Sequence, residues 1–112
     1  MEKIAIFHKI ILETLMEYQS QFRQTSQDIQ SEIIVDDKAY HYQFLWTGWR
    51  GNQHIFSVVF HVDIIKEKIW IQQDNSEVGL ANLLVEKGIR KDEIVLGYFP
   101  KAHRQYTDFA VA

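Results

Sequence analysis

The chain has 112 residues, a length typical of one domain, and 46% of them are hydrophobic, which excludes a disordered chain. The net charge is −3 and the twelve lysines and arginines are scattered, which argues against autonomous binding to duplex DNA. There is no cysteine, so disulfides, cysteine-ligated zinc and a cysteine nucleophile are excluded, and no apolar run reaches membrane-spanning length. We expect a single cytoplasmic domain over residues 1–112, without a signal peptide.

A long N-terminal helix is predicted from residue 3 to about residue 29. Its apolar side chains recur every three or four residues and fall on one stripe, which comprises Ile4, Phe7, Ile11, Leu15, Tyr18 and Phe22. Burial of such side chains stabilises a fold by roughly 1.5–3 kcal/mol each before entropy is subtracted. We expect the stripe to face the core, with a coiled-coil seam as the alternative. The pattern fades over residues 25–30, where the helix is expected to fray.

Four strands follow, and the short turns between them predict an antiparallel meander. The β-branched run Ile33-Ile34-Val35 marks the first strand, and an aromatic-rich second strand extends over residues 40–50. The third strand is predicted from His54 to Ile65. Because side chains alternate along a strand, we assign one set to its core face: Phe56, Val58, Phe60, Val62 and Ile64.

A two-residue connection, Lys66-Glu67, joins the third strand to the fourth. A hairpin loop of this length predicts that Asp63 lies opposite Trp70 and that His61 lies opposite Gln72. One side of the hairpin is then apolar. The other side is mixed and carries His61, Asp63, Lys68, Trp70 and Gln72.

Short helices are predicted after the sheet. Asp74 and Glu77 have the spacing of a capping box, and Gly88 is a natural helix stop. A further helical turn is predicted within residues 90–96, with Asp92 as its cap.

The predicted fold is therefore α+β, with a long N-terminal helix packed on a four-stranded antiparallel meander sheet and short C-terminal helices after it. The chain ends in the apolar residues Phe109-Ala110-Val111-Ala112. An apolar terminus seldom stays free in water, so we expect it to dock on the domain.

His61 and Asp63 are the best candidates for metal ligands. On a strand both side chains point to one side, as a site of two histidines and one carboxylate for iron requires. The second histidine would have to be His41, His54 or His103, and the sequence selects none of them. Short His-x-Asp pairs arise easily by chance, so we prefer a hydrogen-bonded pair on a mixed sheet face.

Other catalytic classes find little support in the sequence. Ser57 lacks the surrounding Gly-x-Ser-x-Gly turn of a serine hydrolase, and the five glycines are too dispersed for a phosphate-binding loop. We therefore expect no catalytic residues and no cofactor.

Two tryptophans, Trp49 and Trp70, are predicted on the sheet face away from the core. Exposed aromatic side chains near lysine and arginine can stack on nucleic-acid bases, and they can equally anchor a protein interface. The acidic net charge favours a protein partner or self-association over single-stranded nucleic acid.

A series of short motifs extends in order across residues 40–112. They are Gly48-Trp49, His61-x-Asp63, Lys68-Ile69-Trp70-Ile71-Gln72, Asp74, Gly79, Ala81, Gly88, Lys91, Asp92-x-Ile94-Val95-Leu96, Pro100, Arg104, Thr107 and Phe109-Ala110-Val111. In their order and spacing they resemble the XisI family, the cyanobacterial excision controlling factors of the fdxN element. The chain departs from the usual family pattern at three places. It has Lys66-Glu67 where the family tends to have Asn-Gly, Asp74-Asn75-Ser76 where Asp-Gly-Thr is usual, and Arg90 where a proline is common.

The resemblance implies an accessory factor for the excision of a DNA element during heterocyst differentiation. It also implies a nuclease-related, XisH-like partner, while a separate recombinase cuts and joins the DNA. The family supplies no catalytic residues that could be transferred to this chain. We expect the partner-binding surface to comprise Trp49, His61, Asp63, Lys68, Trp70, Gln72 and Arg104. Two alternatives are a metal-dependent enzyme or nuclease subunit that uses His61 and Asp63, and a single-stranded nucleic-acid binder with an aromatic sheet face.

Overall fold

The computed structural model describes residues 2–22 and 28–112. Within these ranges the helices and strands are α1 (Glu2–Ser20), β1 (Ile29–Asp36), β2 (His41–Arg50), β3 (Gln53–Ile65), β4 (Lys68–Asp74), α2 (Leu80–Glu86) and β5 (Ile94–Leu96). Two 3-10 turns are added, over Lys91–Glu93 and Lys101–Tyr106. The strands form one sheet in the order β1-β2-β3-β4-β5, antiparallel through β4 and parallel between β4 and β5. The α+β class and the meander are confirmed, and the sheet has a fifth strand.

The fifth strand replaces most of the helical turn predicted over residues 90–96. A 3-10 turn occupies only its first part, and the apolar Ile94–Leu96 is extended, fully buried and paired with β4. The prediction of Asp92 as the cap is wrong. The carboxylate of Glu93 accepts a hydrogen bond from the backbone N of Arg90 at 3.0 Å, while Asp92 pairs with the Arg90 guanidinium at 2.9 Å.

Helix α1 crosses one face of the sheet and buries most of the predicted stripe, whereas Phe22 lies after the helix and is 43% exposed. Phe7, Ile11 and Leu15 are buried in the core. The ring of Tyr18 packs edge-on against the ring of Phe44, with 5.1 Å between centroids. The helical periodicity therefore predicted correctly which side of α1 faces the sheet.

The end of α1 lies well before residue 29, and that prediction is wrong. The helix ends at Ser20, and Ile29 already pairs with Gly48 in the sheet. Of the stretch 25–30 in which the helix was expected to fray, residues 25–27 lie outside the described residues, and Ile29 and Gln30 belong to β1. Ile29 is therefore the first residue of β1.

A one-residue bulge in β3 changes which side chains face the core. The pairing with β2 passes from Phe60 to Val58, so Val59 is the extra residue. Because side chains alternate, one extra residue reverses the two faces of the strand. Phe56 and Val58 therefore lie on the face away from the core, and Phe56 is 65% exposed. Their assignment to the core was wrong. The residues after the bulge are buried in the core as predicted: Phe60, Val62 and Ile64.

The turn between β3 and β4 has the predicted length and geometry. Lys66 and Glu67 both have positive φ angles, 48° and 61°, the combination that matches the twist of a two-residue hairpin. Asp63 lies opposite Trp70, as predicted.

Helix α2 begins later than a capping box at Asp74 would place it. The Asp74 carboxylate accepts hydrogen bonds from the backbone N of Leu80 at 2.7 Å and of Ser76 at 2.9 Å. Gly79 is the N-cap residue and has no side chain to cap the helix. Asp74 therefore accepts the hydrogen bond of the first helical amide, that of Leu80, from outside the helix. The predicted capping box with Glu77 is wrong, since Glu77 precedes the helix and is exposed.

The C-terminal segment returns to the sheet. Gly88, with a φ of 102°, follows the end of α2 as predicted. The backbone N of Ala110 donates to the carbonyl of Ile94 at 2.8 Å, and Phe109 packs against the core, so the expected docking is confirmed for these two residues, whereas Val111 is 50% exposed. Neither α-helix of the described ranges is long and apolar enough to cross a bilayer.

Candidate functional site

The sheet face opposite α1, here called the open face, carries most of the predicted site. Residues of β2 that pack under α1 alternate with residues that point to this face. The open face includes Gln43, Leu45, Phe56, Val58, His61, Asp63 and Trp70.

Three titratable side chains converge on the open face at the end next to the β3–β4 turn. Asp63 is almost fully buried, and its Oδ1 accepts hydrogen bonds from His41 Nδ1 at 2.6 Å and from His61 Nε2 at 2.9 Å. These ligand-type atoms all lie within 4.8 Å of one another. His41 lies directly opposite Asp63 in the β2–β3 register, and that pairing selects it from the three candidate histidines.

Two glutamines complete the hydrogen bonding of this cluster. Gln72 Nε2 donates to Asp63 Oδ2 at 3.2 Å, and Gln43 Nε2 lies 2.8 Å from His61 Nδ1. A second bulge makes Gln72 the extra residue of β4, so His61 lies opposite Gln73. The predicted pairing of His61 with Gln72 is therefore wrong, although Gln72 still contacts the same carboxylate.

The hydrogen bond from His41 to Asp63 has an electrostatic consequence. It raises the pKa of His41 above the ordinary value of 6.5, and the charge of Asp36, opposite His41 across β1 and β2, adds a smaller effect in the same direction. A raised pKa means that the pair contributes stability that is fully present below pH 6.5 and is lost as the pH rises through the raised value.

Trp70 links this cluster to the C-terminal segment. The guanidinium of Arg104 lies 5.1 Å from the centroid of the Trp70 ring, a cation–π distance. Arg104 Nε also donates to the carbonyl of Phe99 at 3.1 Å. Arg104 thus holds the segment after β5 against the open face at Trp70.

Gly97 is a residue of this region whose role sequence reasoning missed. A Cβ at this position would lie 2.7 Å from Gln72 Oε1 and 3.2 Å from both Trp70 Cε3 and the Ile71 carbonyl. The requirement for glycine arises from packing between two segments distant in sequence, and no local pattern signals it.

Trp49 does not lie with the other predicted site residues. It is eight residues along β2 from His41, or about 26 Å at 3.3 Å per residue. Its ring neighbours His54, with 4.7 Å between ring centroids, and it is 53% exposed. Lys68 lies at the hairpin end, where it lines a polar cleft with Lys3 and Arg90 among others. The predicted single surface is therefore divided between the two ends of the sheet.

We use the name Trp70 cluster for the residues that the structure brings together at the hairpin end. They are His41, Gln43, His61, Asp63, Trp70, Gln72 and Arg104. The set contains two imidazoles, one carboxylate and a cation stacked on an aromatic ring. Such a cluster can hold a metal ion or supply a rigid polar contact surface.

The sequence matches the family described as XisI protein over residues 1–111. Among solved structures, a XisI-like protein from Anabaena variabilis is 35% identical, with a TM-score of 0.90, over 96% of this chain and 98% of that one. The fdxN element excision controlling factor XisI from Anabaena variabilis is 24% identical, with a TM-score of 0.85, over 98% of this chain and 99% of that one, a likeness of fold. A comparison with proteins of curated function gives no match.

Proposed function

This chain belongs to the XisI family, and from that membership we propose that it is a controlling factor for the excision of a DNA element of the fdxN type. The observation that carries the proposal is the family match over residues 1–111. We place the function in the cytoplasm of a cyanobacterium during heterocyst differentiation, and we propose that the chain acts without catalysing a reaction itself.

We propose further that the chain acts by binding an XisH-like, nuclease-related protein. Large apolar side chains exposed on a sheet face are typical of protein interfaces, and the open face carries Phe56 and Ile34, which are 65% and 49% exposed. The net charge of −3 disfavours a direct electrostatic contact with DNA phosphates. The link to DNA is then indirect, through the partner and the recombinase.

The Trp70 cluster supplies the polar part of the proposed interface. Tryptophan and arginine are the residue types that most often dominate binding energy, and here Trp70 and Arg104 are stacked on each other. The hydrogen bonds around Asp63 hold the neighbouring side chains in place, so little side-chain entropy is lost on binding.

Copurification of the chain with the XisH-like protein of the same genome, with the complex mass read by light scattering, tests the proposal. We expect a stoichiometric complex and a weaker one for Trp70→Ala, by about 2 kcal/mol or roughly 30-fold. Met16→Ala is the matched control, because Met16 is an exposed apolar side chain on α1. Elution of the two proteins at their separate masses would refute the proposed binding of the XisH-like protein.

Two outcomes test separately whether the partner binds and whether the Trp70 cluster is the surface that contacts it. Equal binding by a folded Trp70→Ala variant and by the wild type would leave the partner in place and refute the Trp70 cluster as its contact. Salt-dependent binding of single-stranded DNA by the chain alone would favour a nucleic-acid binder instead.

A further inference from the structure

The side chains at the centre of the Trp70 cluster have the chemistry of a transition-metal site. His41 Nδ1 and His61 Nε2 both lie within hydrogen-bond distance of one oxygen of Asp63, at 2.6 Å and 2.9 Å. Ligand atoms of a single ion lie about 3.0–3.4 Å apart when each bond to the metal is about 2.1 Å. Placing an ion between these three atoms therefore requires those two pairs to open by less than about 1 Å. The two imidazole nitrogens, which lie within 4.8 Å of each other, have to approach to the same spacing.

We propose that His41, His61 and Asp63 bind a divalent first-row transition ion, with Zn²⁺ as the representative. Two imidazoles and one carboxylate suit zinc and its neighbours, whereas Mg²⁺ and Ca²⁺ prefer oxygen ligands. The three protein ligands leave positions for water. This inference does not rest on the proposed function, since it follows from the geometry of these side chains.

The partners of the three side chains match the outer shell of a metal site. Gln72 Nε2 donates to Asp63 Oδ2 at 3.2 Å and orients the carboxylate, leaving Oδ1 to face the histidines. Gln43 lies 2.8 Å from His61 Nδ1. Rotation of the Gln43 amide by half a turn lets its oxygen accept the Nδ1 proton, so that His61 Nε2 is free to bind the ion.

Access and electrostatics also favour a cation at this position. The side chain of His41 is half exposed, while that of Asp63 is almost buried, so an ion can enter from solvent and meet a carboxylate held by the sheet. Asp36 lies opposite His41 across β1 and β2 and adds a second negative charge nearby. Its own carboxylate is oriented by the backbone N of Lys38 and Ala39, at 3.0 Å and 3.1 Å.

The test is calorimetric titration of Zn²⁺ into the full chain, prepared without a histidine tag and stripped with a chelator. We expect one ion per chain, and binding weakened at least 100-fold in His41→Ala and in His61→Ala. His54→Ala is the matched control, because His54 lies at the other end of the sheet beside Trp49. It should bind Zn²⁺ as the wild type does.

Gln43, the hydrogen-bond partner of His61, gives a second test. Nonspecific binding of Zn²⁺ to a surface histidine would not depend on Gln43. Replacement of Gln43 by Leu should weaken Zn²⁺ binding by about 10–100-fold, the usual effect of removing such a partner. Gln43→Glu should strengthen it, because a carboxylate accepts the Nδ1 proton of His61 more strongly. Circular dichroism of each variant establishes that the fold is retained.

Three results would overturn the proposal. The first is no saturable uptake of Zn²⁺ up to about 1 mM by the wild type. The second is uptake that is lost in His54→Ala and kept in His41→Ala, which would place the ion elsewhere. The third is binding of Mg²⁺ as tight as that of Zn²⁺, which would refute the role of the imidazoles.

Discussion

Replacement of Asp74 by Ala should destabilise the chain more than any change at Glu77. In the structure the Asp74 carboxylate accepts hydrogen bonds from Leu80 N at 2.7 Å, Ser76 N at 2.9 Å and Ser76 Oγ at 2.6 Å. Leu80 is buried, so its amide cannot readily turn to water once the carboxylate is gone. By contrast, Glu77 is exposed, and the sequence alone would have paired it with Asp74 in a capping box.

The magnitude follows from these bonds. Hydrogen bonds to a charged group contribute roughly 1.5–3 kcal/mol, and loss of a helix cap costs about 0.5–2 kcal/mol. Because the amide of Ser76 can be rehydrated, we expect Asp74→Ala to lower the free energy of unfolding by about 2–3 kcal/mol. Asp74→Asn keeps the acceptor without the charge and should cost about 1 kcal/mol. For Glu77→Ala the expected change is within about 0.5 kcal/mol.

Urea denaturation followed by tryptophan fluorescence measures these differences. With an unchanged slope, Asp74→Ala should lower the midpoint by about 1–2 M urea, while Glu77→Ala should leave it in place. A loss of stability in Glu77→Ala as large as that in Asp74→Ala would refute the structural assignment and restore the capping box. So would a change below about 0.5 kcal/mol in Asp74→Ala.

Two further predictions concern burial. Phe60→Ala should lower the free energy of unfolding by about 3–5 kcal/mol, and Phe56→Ser should lower it by less than about 1 kcal/mol. The reason is that the bulge at Val59 places Phe60 in the core and Phe56 on the open face. Equal midpoints of urea denaturation for the two variants would contradict this assignment. Burial raises the pKa of Tyr42 to about 12, so its stabilising effect is fully present below pH 10 and is lost as the pH rises toward 12. In an absorbance titration of the five tyrosines Tyr42 should ionise last, and simultaneous ionisation of all five near pH 10 in the folded protein would refute the burial argument.

The features that sequence reasoning predicted correctly are local. The stripe of α1 and the two-residue turn of the β3–β4 hairpin each depend on residues within a few positions of one another. The pairing of Asp63 with Trp70 follows from that turn alone, since it is the third pair from the turn. The motifs that resemble the XisI family are also read directly from the chain.

The features that were missed depend on pairing between distant segments. The bulge at Val59 is visible only when β3 is aligned with β2, and β5 exists because residues 94–96 find β4 as a parallel neighbour. For the same reason the sequence left three histidines as equal candidates beside Asp63. Only the β2–β3 register brings His41 to it.

The bulge at Val59 gives the open face two chemically different halves. Between the bulge at Val59 and the β3–β4 turn, the alternation places His61 and Asp63 on the open face, with Trp70 beside them on β4. Before the bulge it places Phe56 there. Without the extra residue, the same alternation would turn Phe56 toward the core and place Ser57 on the open face instead. The bulge therefore joins an apolar patch, suited to a protein partner, to a histidine–carboxylate site at the other end of one surface.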